Sequence, residues 1–278
     1  LGRKGIGSPY ASRDFMDVEP EYGTPEELRA FVRRAHELKL KVIFDITPNH
    51  TARDHVWMSA HPEYYVRGED GRAMFDADWS DTAKLDYTRP ELRAAMMEVY
   101  DHWLSCLGPD ANGQPDGIDG FRLDMAHFIN DRSFWDQALP ILRARPPRGV
   151  LRSTGGCYGF VNDCDLFARG MDAAYDDDFY KLSQYAYAVD EAGQSRVRLS
   201  GEAHHNHGFH AILQAWSDGG LAAAAARTLM QYEEAAPAFA GPRYTARYTD
   251  NHDEGRGLDR FGPGAFRAMN ILAFLSPR

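Results

Sequence analysis

Three apolar stretches in this chain each run into a cluster of ionisable residues, and that arrangement restricts the folds open to it. Val42-Ile43-Phe44 leads through Asp45-Ile46-Thr47-Pro48 to Asn49-His50. Ile118-Asp119-Gly120-Phe121 leads to Arg122-Leu123-Asp124, and Tyr248-Thr249 leads to Asp250-Asn251-His252-Asp253. A short, nearly continuous apolar run reads as a strand buried on both faces, the kind used in parallel sheets. Parallel strands need long crossovers, usually helices, and helix signals fill the gaps. Thr24-Pro25-Glu26-Glu27 has the form of a capping box with Pro at the first helical position. Leu28, Phe31, Val32, Ala35 and Leu38 then recur at helical spacing to about Lys39. Thr88-Arg89-Pro90-Glu91 reads as a second box, with Leu92, Met96, Val99 and Trp103 as the apolar face to about Leu107. Strands are expected over 41–46 and 117–123, with shorter candidates at 149–151, 171–176, 196–200 and 244–249. The alternation is that of an α/β protein. In a parallel β/α barrel, the residues delivered at the C-terminal strand ends build the active site.

The chain has 278 residues, enough for one large domain of this kind. Its formal net charge of −10 argues against nucleic acid or an anionic membrane as partner and suits a neutral substrate. Cys106, Cys157 and Cys164 form no regular disulfide framework. No apolar stretch approaches the length of a membrane-spanning helix. No Gly-rich phosphate loop appears, which disfavours a sugar-phosphate barrel enzyme.

The ordered set DITPNH (45–50), GFRLD (120–124) and NHD (251–253) resembles the signature of the alpha-amylase family of retaining glycoside hydrolases, family 13. GSPYASRDFMDVEPEYGTPEEL (7–28), HPEYY (61–65) and DWSDTAKLDYTRPELRAAM (78–96) extend the likeness to about residue 180. The resemblance implies a (β/α)8 TIM-type barrel, here truncated at both ends, with residues 1–278 as a partial catalytic domain and a loop subdomain at about 51–87. It implies an oligo- or polysaccharide substrate of α-linked glucose, processed by hydrolysis or transglycosylation. No cofactor and no metal are expected. Asn49 could offer calcium one oxygen, but Phe128 stands where some amylases have a further His ligand.

A retaining glycosidase needs two carboxyl groups about 5–5.5 Å apart, one a nucleophile and one an acid/base. Asp124 is the expected nucleophile. Arg122 lies two residues earlier on one strand, so both side chains share a face and the guanidinium keeps the carboxylate ionised. By resemblance, Asp253 grips sugar hydroxyls, His252 hydrogen-bonds the same ring, and His50 is a sugar-binding residue; Asp45, on the strand that leads to His50, reads as structural. A plain Arg–Asp ion pair and a plain turn at 251–255 are the bland alternatives.

The acid stays open between two registers. Leu199-Ser200-Gly201-Glu202-Ala203 reads like the family's acid motif and makes Glu202 the candidate, but it lies 78 residues beyond Asp124. In the other register the fifth strand lies near 149–155, and the acid position holds Thr154 or Gly155. Glu202 is the best available acid. A carbohydrate-binding or regulatory pseudoenzyme that has lost its acid is the alternative function. His204, His205, His207 and His210 read as a polar loop in preference to a zinc site. Trp57, Tyr64, Tyr65 and Trp79 are candidates either for a sugar-stacking wall or for loop packing.

Overall fold

The computed structural model describes residues 8–145, 153–155, 166, 169–187, 222–223, 225–227, 229–230, 244–251 and 255–275. The chain divides into two compact units, residues 1–156 with 169–172, and residues 157–168 with 173–278.

The first unit opens on helix α1, Pro25–Glu37. Its capping box forms as expected: Thr24 Oγ1 accepts from the Glu27 N–H at 3.2 Å, and Glu27 Oε2 accepts from the Thr24 N–H at 2.9 Å. Lys39 follows at φ +62°, in the left-handed region where helices commonly end. Strand β1, Ile43–Ile46, comes next, then β2, His50–Ala52, and the short helix α2, Val56–Ala60. Strand β3, Thr82–Lys84, pairs antiparallel with β2 and sets Lys84 opposite His50. Helix α3, Pro90–Leu104, leads into a small antiparallel ribbon of β4, Gly108–Pro109, and β5, Pro115–Asp116. Gly117 then turns against the end of α3, where a Cβ would sit 2.4 Å from the Trp103 carbonyl oxygen. Strand β6, Gly120–Leu123, helix α4, Ser133–Ala144, and strand β7, Ser153–Gly155, complete this unit.

The main sheet of the unit is parallel, as the buried apolar runs predict. β1 pairs with β6 so that Asp45 faces Arg122, and β6 pairs with β7 so that Thr154 faces Arg122 from the other side. Phe121 and Leu123 are buried, as are Leu92, Met96, Val99 and Tyr100 of α3 and Phe134, Trp135 and Leu139 of α4, and the Phe121 and Tyr100 rings lie 5.0 Å apart. Burying each such large side chain contributes about 1.5–3 kcal/mol. The indole N–H of Trp135 donates to the Ala126 carbonyl at 2.9 Å, so its polar tip is satisfied inside that core. At the opposite end of β6 from Asp124, buried Asp119 accepts from the Val42 N–H at 2.8 Å and from Lys41 Nζ at 3.0 Å. It staples the N-terminal ends of β1 and β6 and stands away from the chemistry.

Two local expectations change, and a third falls outside the described residues. The second capping box does not form: α3 takes Arg89 as its N-cap, and Thr88 Oγ1 donates to Asp86 Oδ1 at 2.7 Å. The cause is one inserted residue, since Thr24 directly precedes its Pro and Thr88 does not. The strand expected at 149–151 lies outside the described residues, and the pairing strand is 153–155. Phe31 and Leu38, counted on the apolar face of α1, are exposed, while Val32 and Ala35 are buried. Among the described residues of this unit β1 pairs through one edge alone, and Ile43 on it is exposed as well.

The second unit contains β8, Ala173–Tyr175, helix α5, Asp177–Tyr187, β9, Tyr244–Ala246, and helix α6, Gly257–Leu275. β8 and β9 are parallel, with Ala174 opposite Thr245. α6 is kinked at Gly262, φ +76°, just before Pro263. The strand expected at 196–200 lies outside the described residues.

Candidate active site

The site in the first unit is assembled at the C-terminal ends of β1 and β6. Arg122 and Asp124 are two residues apart, so the strand alternation puts both side chains on one face. Nη1 of Arg122 lies 2.6 Å from Asp124 Oδ1, and 3.0 and 3.1 Å from the two carboxylate oxygens of Asp45. One guanidinium therefore sits between two carboxylates delivered by neighbouring strands. Arg122 and Asp124 are largely buried, at 12% and 18% side-chain exposure, whereas Asp45 is 45% exposed. The Tyr10 ring lies 5.8 Å from the guanidinium carbon. The Asp124 N–H donates to the Ile46 carbonyl at 2.9 Å, which carries the parallel ladder one step past β6. The chain then turns sharply at Met125, φ +53°, a backbone region that costs a side-chain-bearing residue energy. That turn ends the strand at Asp124 and leaves its carboxylate at the strand mouth.

His50 begins β2 in a buried setting. Its ring contacts the Asn49 amide at 3.3 Å and the backbone of Tyr10. Tyr10 thus touches both parts of the site, Arg122 through its ring and His50 through its main chain. Asn49 Nδ2 donates to Asp76 Oδ2 at 2.8 Å, and Lys84 Nζ donates to Asp76 Oδ1 at 2.6 Å, forming a half-buried polar chain next to His50. Burial lowers the His50 pKa from 6.5 to about 4, against the opposing pull of Asp76 and Asp81. His55, packed between Phe15 and Trp57, is likewise lowered to about 4 by burial. Both imidazoles are neutral at pH 7.

A pH dependence of stability follows. Between pH 6.5 and about 4 the unfolded chain binds protons at these two residues that the folded chain refuses. Stability is therefore full above pH 6.5 and falls as pH drops through that window, by about 1.4 kcal/mol per pH unit for each imidazole. Urea midpoints between pH 7.5 and 4.5 test this, and His50→Gln should flatten part of the slope.

Among the aromatic candidates, Tyr64 and Tyr65 are buried, and Trp57 packs on Phe15, His55 and Tyr64. These three form the core of their loop. Trp79 is different: it is half-buried, 5.6 Å from His50 and 6.1 Å from Phe128, which follows the Asp124 turn. Of these four aromatics it is the one whose ring lies beside His50.

Of the expected site residues, the structure brings His50, Arg122 and Asp124 into one unit. Glu202, His252 and Asp253 lie outside the described residues, as do the His204–His210 cluster, Cys157 and Cys164. The contact of Arg122 with Asp45 and the double contact of Tyr10 were missed by sequence reasoning. The alternation of Asp45 with Phe44 and Ile46 on β1 was the available signal for the first. Nothing in GSPY marks Tyr10. On β7, Ser153, Thr154 and Gly155 stand level with Phe121, Arg122 and Leu123. The sequence has no Asp or Glu from Gln137 to Asn162. The strand next to the Asp124 strand therefore brings no carboxyl group. Among the described residues no helix is long and apolar enough to cross a membrane, and no group of three His, Cys, Asp or Glu could hold a metal ion.

Solved structures place this arrangement among α/β folds of the barrel type. A noncanonic maltogenic alpha-amylase, AmyB from Thermotoga neapolitana, superposes with a TM-score of 0.65 at 26% identity, covering 93% of this chain and 50% of that one. A Nostoc punctiforme debranching enzyme superposes with a TM-score of 0.67 at 18% identity, over 99% and 56%, a likeness of fold alone. Residues 7–79 match the family of alpha amylase catalytic domains. Alpha-amylase 3 of Dictyoglomus thermophilum is 27% identical over 167 residues, 50% of this chain and 31% of that protein. Trehalose synthase/amylase TreS of Mycobacterium tuberculosis is 30% identical over 156 residues, 44% of this chain and 24% of that protein. The likeness to alpha amylase catalytic domains thus covers residues 7–79 in the family comparison, and the chain spans less than a third of these two relatives' own length.

Proposed function

We propose that this protein is a retaining enzyme on α-linked glucans, acting by hydrolysis or transglycosylation, with its parallel strands forming part of a (β/α)8 barrel and residues 51–87 a loop subdomain beside the site. The observation that carries the reading is the contact between Arg122 and Asp124 at a strand mouth, 2.6 Å long and mostly shielded from water. A nucleophilic carboxylate has to be an anion, and an adjoining guanidinium favours that form. Asp124 would attack the anomeric carbon, and Arg122 would hold it ionised and aimed. His50 would bond the sugar beside Trp79. His252 and Asp253 would grip the distorted ring, and Glu202 would protonate the leaving oxygen. Names among the relatives, alpha-amylase and trehalose synthase/amylase, support α-glucans as the substrate class.

Two inversions at one carbon restore the starting configuration, so the first product should be the α anomer. Time-resolved NMR of maltooligosaccharide cleavage tests this, and an initial β product would reject the mechanism. Proton donation matters most for a poor leaving group. Glu202→Gln should therefore lose about 10²–10⁴-fold on maltooligosaccharides and far less on an activated aryl α-glycoside. If it matches the unsubstituted protein on both, Glu202 is not the acid.

The composition of β7 favours a second reading, a carbohydrate-binding protein that has lost its acid. A protein that binds maltooligosaccharides and turns over no glycoside of any kind would fit this reading and exclude the first.

A further inference from the structure

His50 shares its corner of the first unit with three polar side chains that the chemistry at Asp124 does not use. Lys84 on β3 stands directly opposite His50 on β2 in the antiparallel register, so the two side chains leave the same face of the ribbon. Lys84 Nζ donates to Asp76 Oδ1 at 2.6 Å, and these side chains are only 16% and 17% exposed. The other carboxylate oxygen, Asp76 Oδ2, accepts from Asn49 Nδ2 at 2.8 Å. The same Asn49 nitrogen lies 3.3 Å from His50 Nδ1, and both of these residues are buried. Each link fixes the next. A carboxylate only accepts hydrogen bonds, so the Asn49 amide must turn its NH2 toward Asp76. That NH2 only donates, so His50 Nδ1 must accept. A neutral imidazole that accepts at Nδ1 carries its proton on Nε2.

We propose that Asp76, held by Lys84, is a positioning residue for His50: through the Asn49 amide it selects the imidazole tautomer protonated on Nε2, which meets a sugar oxygen as a hydrogen-bond donor. The proposal rests on the reading of His50 as a sugar-binding residue, and it adds that a carboxylate of the loop decides which way that hydrogen bond runs. A sugar hydroxyl can donate or accept, whereas ring and glycosidic oxygens only accept. A ring nitrogen fixed as a donor can bond all of them, and one fixed as an acceptor can bond hydroxyls alone. Lys84 matters because its ammonium has no lone pair and demands an oxygen. With an amide in place of the Asp76 carboxylate, Lys84 would claim the amide oxygen and leave the NH2 facing Asn49. The Asn49 amide would then flip to offer its own oxygen. That oxygen would also face His50 Nδ1, and the imidazole proton would move from Nε2 to Nδ1.

The test reads the tautomer directly, by nitrogen NMR of the complete protein with isotope-labelled histidine at pH 7, where His50 is neutral. An unprotonated ring nitrogen resonates well downfield of a protonated one, and the His50 signals are those missing from His50→Gln. The expected result is a proton on Nε2 in the unsubstituted protein and on Nδ1 in Asp76→Asn. With the switch, kcat/KM on an activated maltoside should fall by about tenfold or more, the order of one buried hydrogen bond left unmade. Asp76→Asn combined with Lys84→Met removes the ammonium that claims the oxygen, so the new amide can turn its oxygen back to Asn49. The Nε2 proton and kcat/KM should then both move back toward those of the unsubstituted protein, whereas a merely structural role predicts further loss. A proton on Nδ1 in the unsubstituted protein would overturn the proposal, whether or not Asp76→Asn folds. A tautomer that Asp76→Asn leaves unchanged would overturn it as well, and either result leaves the sugar-binding reading of His50 standing. A switched tautomer with kcat/KM within twofold of the parent would overturn that reading, and this proposal with it.

Discussion

Asp124→Asn is expected to remove turnover on every glycoside the protein accepts, by about 10⁴-fold or more, while leaving the fold intact. The loss is large because an amide oxygen cannot form the glycosyl ester, and no other contact replaces a covalent bond. The fold survives because the guanidinium of Arg122 keeps Asp45 as an anionic partner at 3.0 and 3.1 Å, and the amide oxygen of Asn can still accept from Nη1. Stability should change by about 1 kcal/mol at most. Steady-state rates on an activated maltoside, with a urea curve for each protein, separate the two effects. Retained activity near that of the unsubstituted protein would take Asp124 out of the mechanism.

The second large effect is on stability, in the second unit. Asp176 follows β8 directly and Arg247 follows β9, so the two meet where these parallel strands end. Arg247 Nε lies 2.9 Å from Asp176 Oδ2, with side-chain exposures of 2% and 0%. Asp176 Oδ1 also accepts from the Phe179 N–H at 3.1 Å, and the guanidinium lies 4.4 Å from the centre of the Phe179 ring. Removing one partner of a buried ion pair typically costs about 3–5 kcal/mol. Asp176→Ala should lose that much of the unfolding free energy by denaturant titration. Asp176→Ala combined with Arg247→Met should recover part of it, because neither charge of the pair then remains. A single variant within 1 kcal/mol of the parent, on the scale of an exposed ion pair, would mean that the pair is solvated.

Much of the fold was legible because burial on both faces leaves a local trace. The expected strands 41–46, 117–123, 171–176 and 244–249 contain β1, β6, β8 and β9. The α1 cap was legible because Thr24 and Glu27 satisfy each other's backbone within one turn. What failed was short-range detail or long-range pairing. One residue between Thr88 and Pro90 abolished a cap whose residue pattern matched that of α1. Strand pairing depends on partners far along the chain, so sequence spacing left two registers for the strand after Asp124. The pairing of Thr154 with Arg122 places Ser-Thr-Gly beside the Asp124 strand. Likewise the Arg122–Asp124 proximity was readable from a spacing of two, whereas the reach of Arg122 to Asp45, across 77 residues, needed the parallel register.

The central claim, that Asp124 becomes glycosylated, is tested most directly by trapping. A 5-fluoro-α-glucosyl fluoride combines a good leaving group with a destabilised second step, so a glycosyl ester formed on the protein should accumulate. Intact-mass analysis followed by peptide sequencing should find a single fluorohexosyl addition on the peptide containing Gly120–Asp124, at the Asp124 carboxylate. It should be absent from Asp124→Asn. An unlabelled protein after prolonged incubation, or a label on any other residue, would contradict the account.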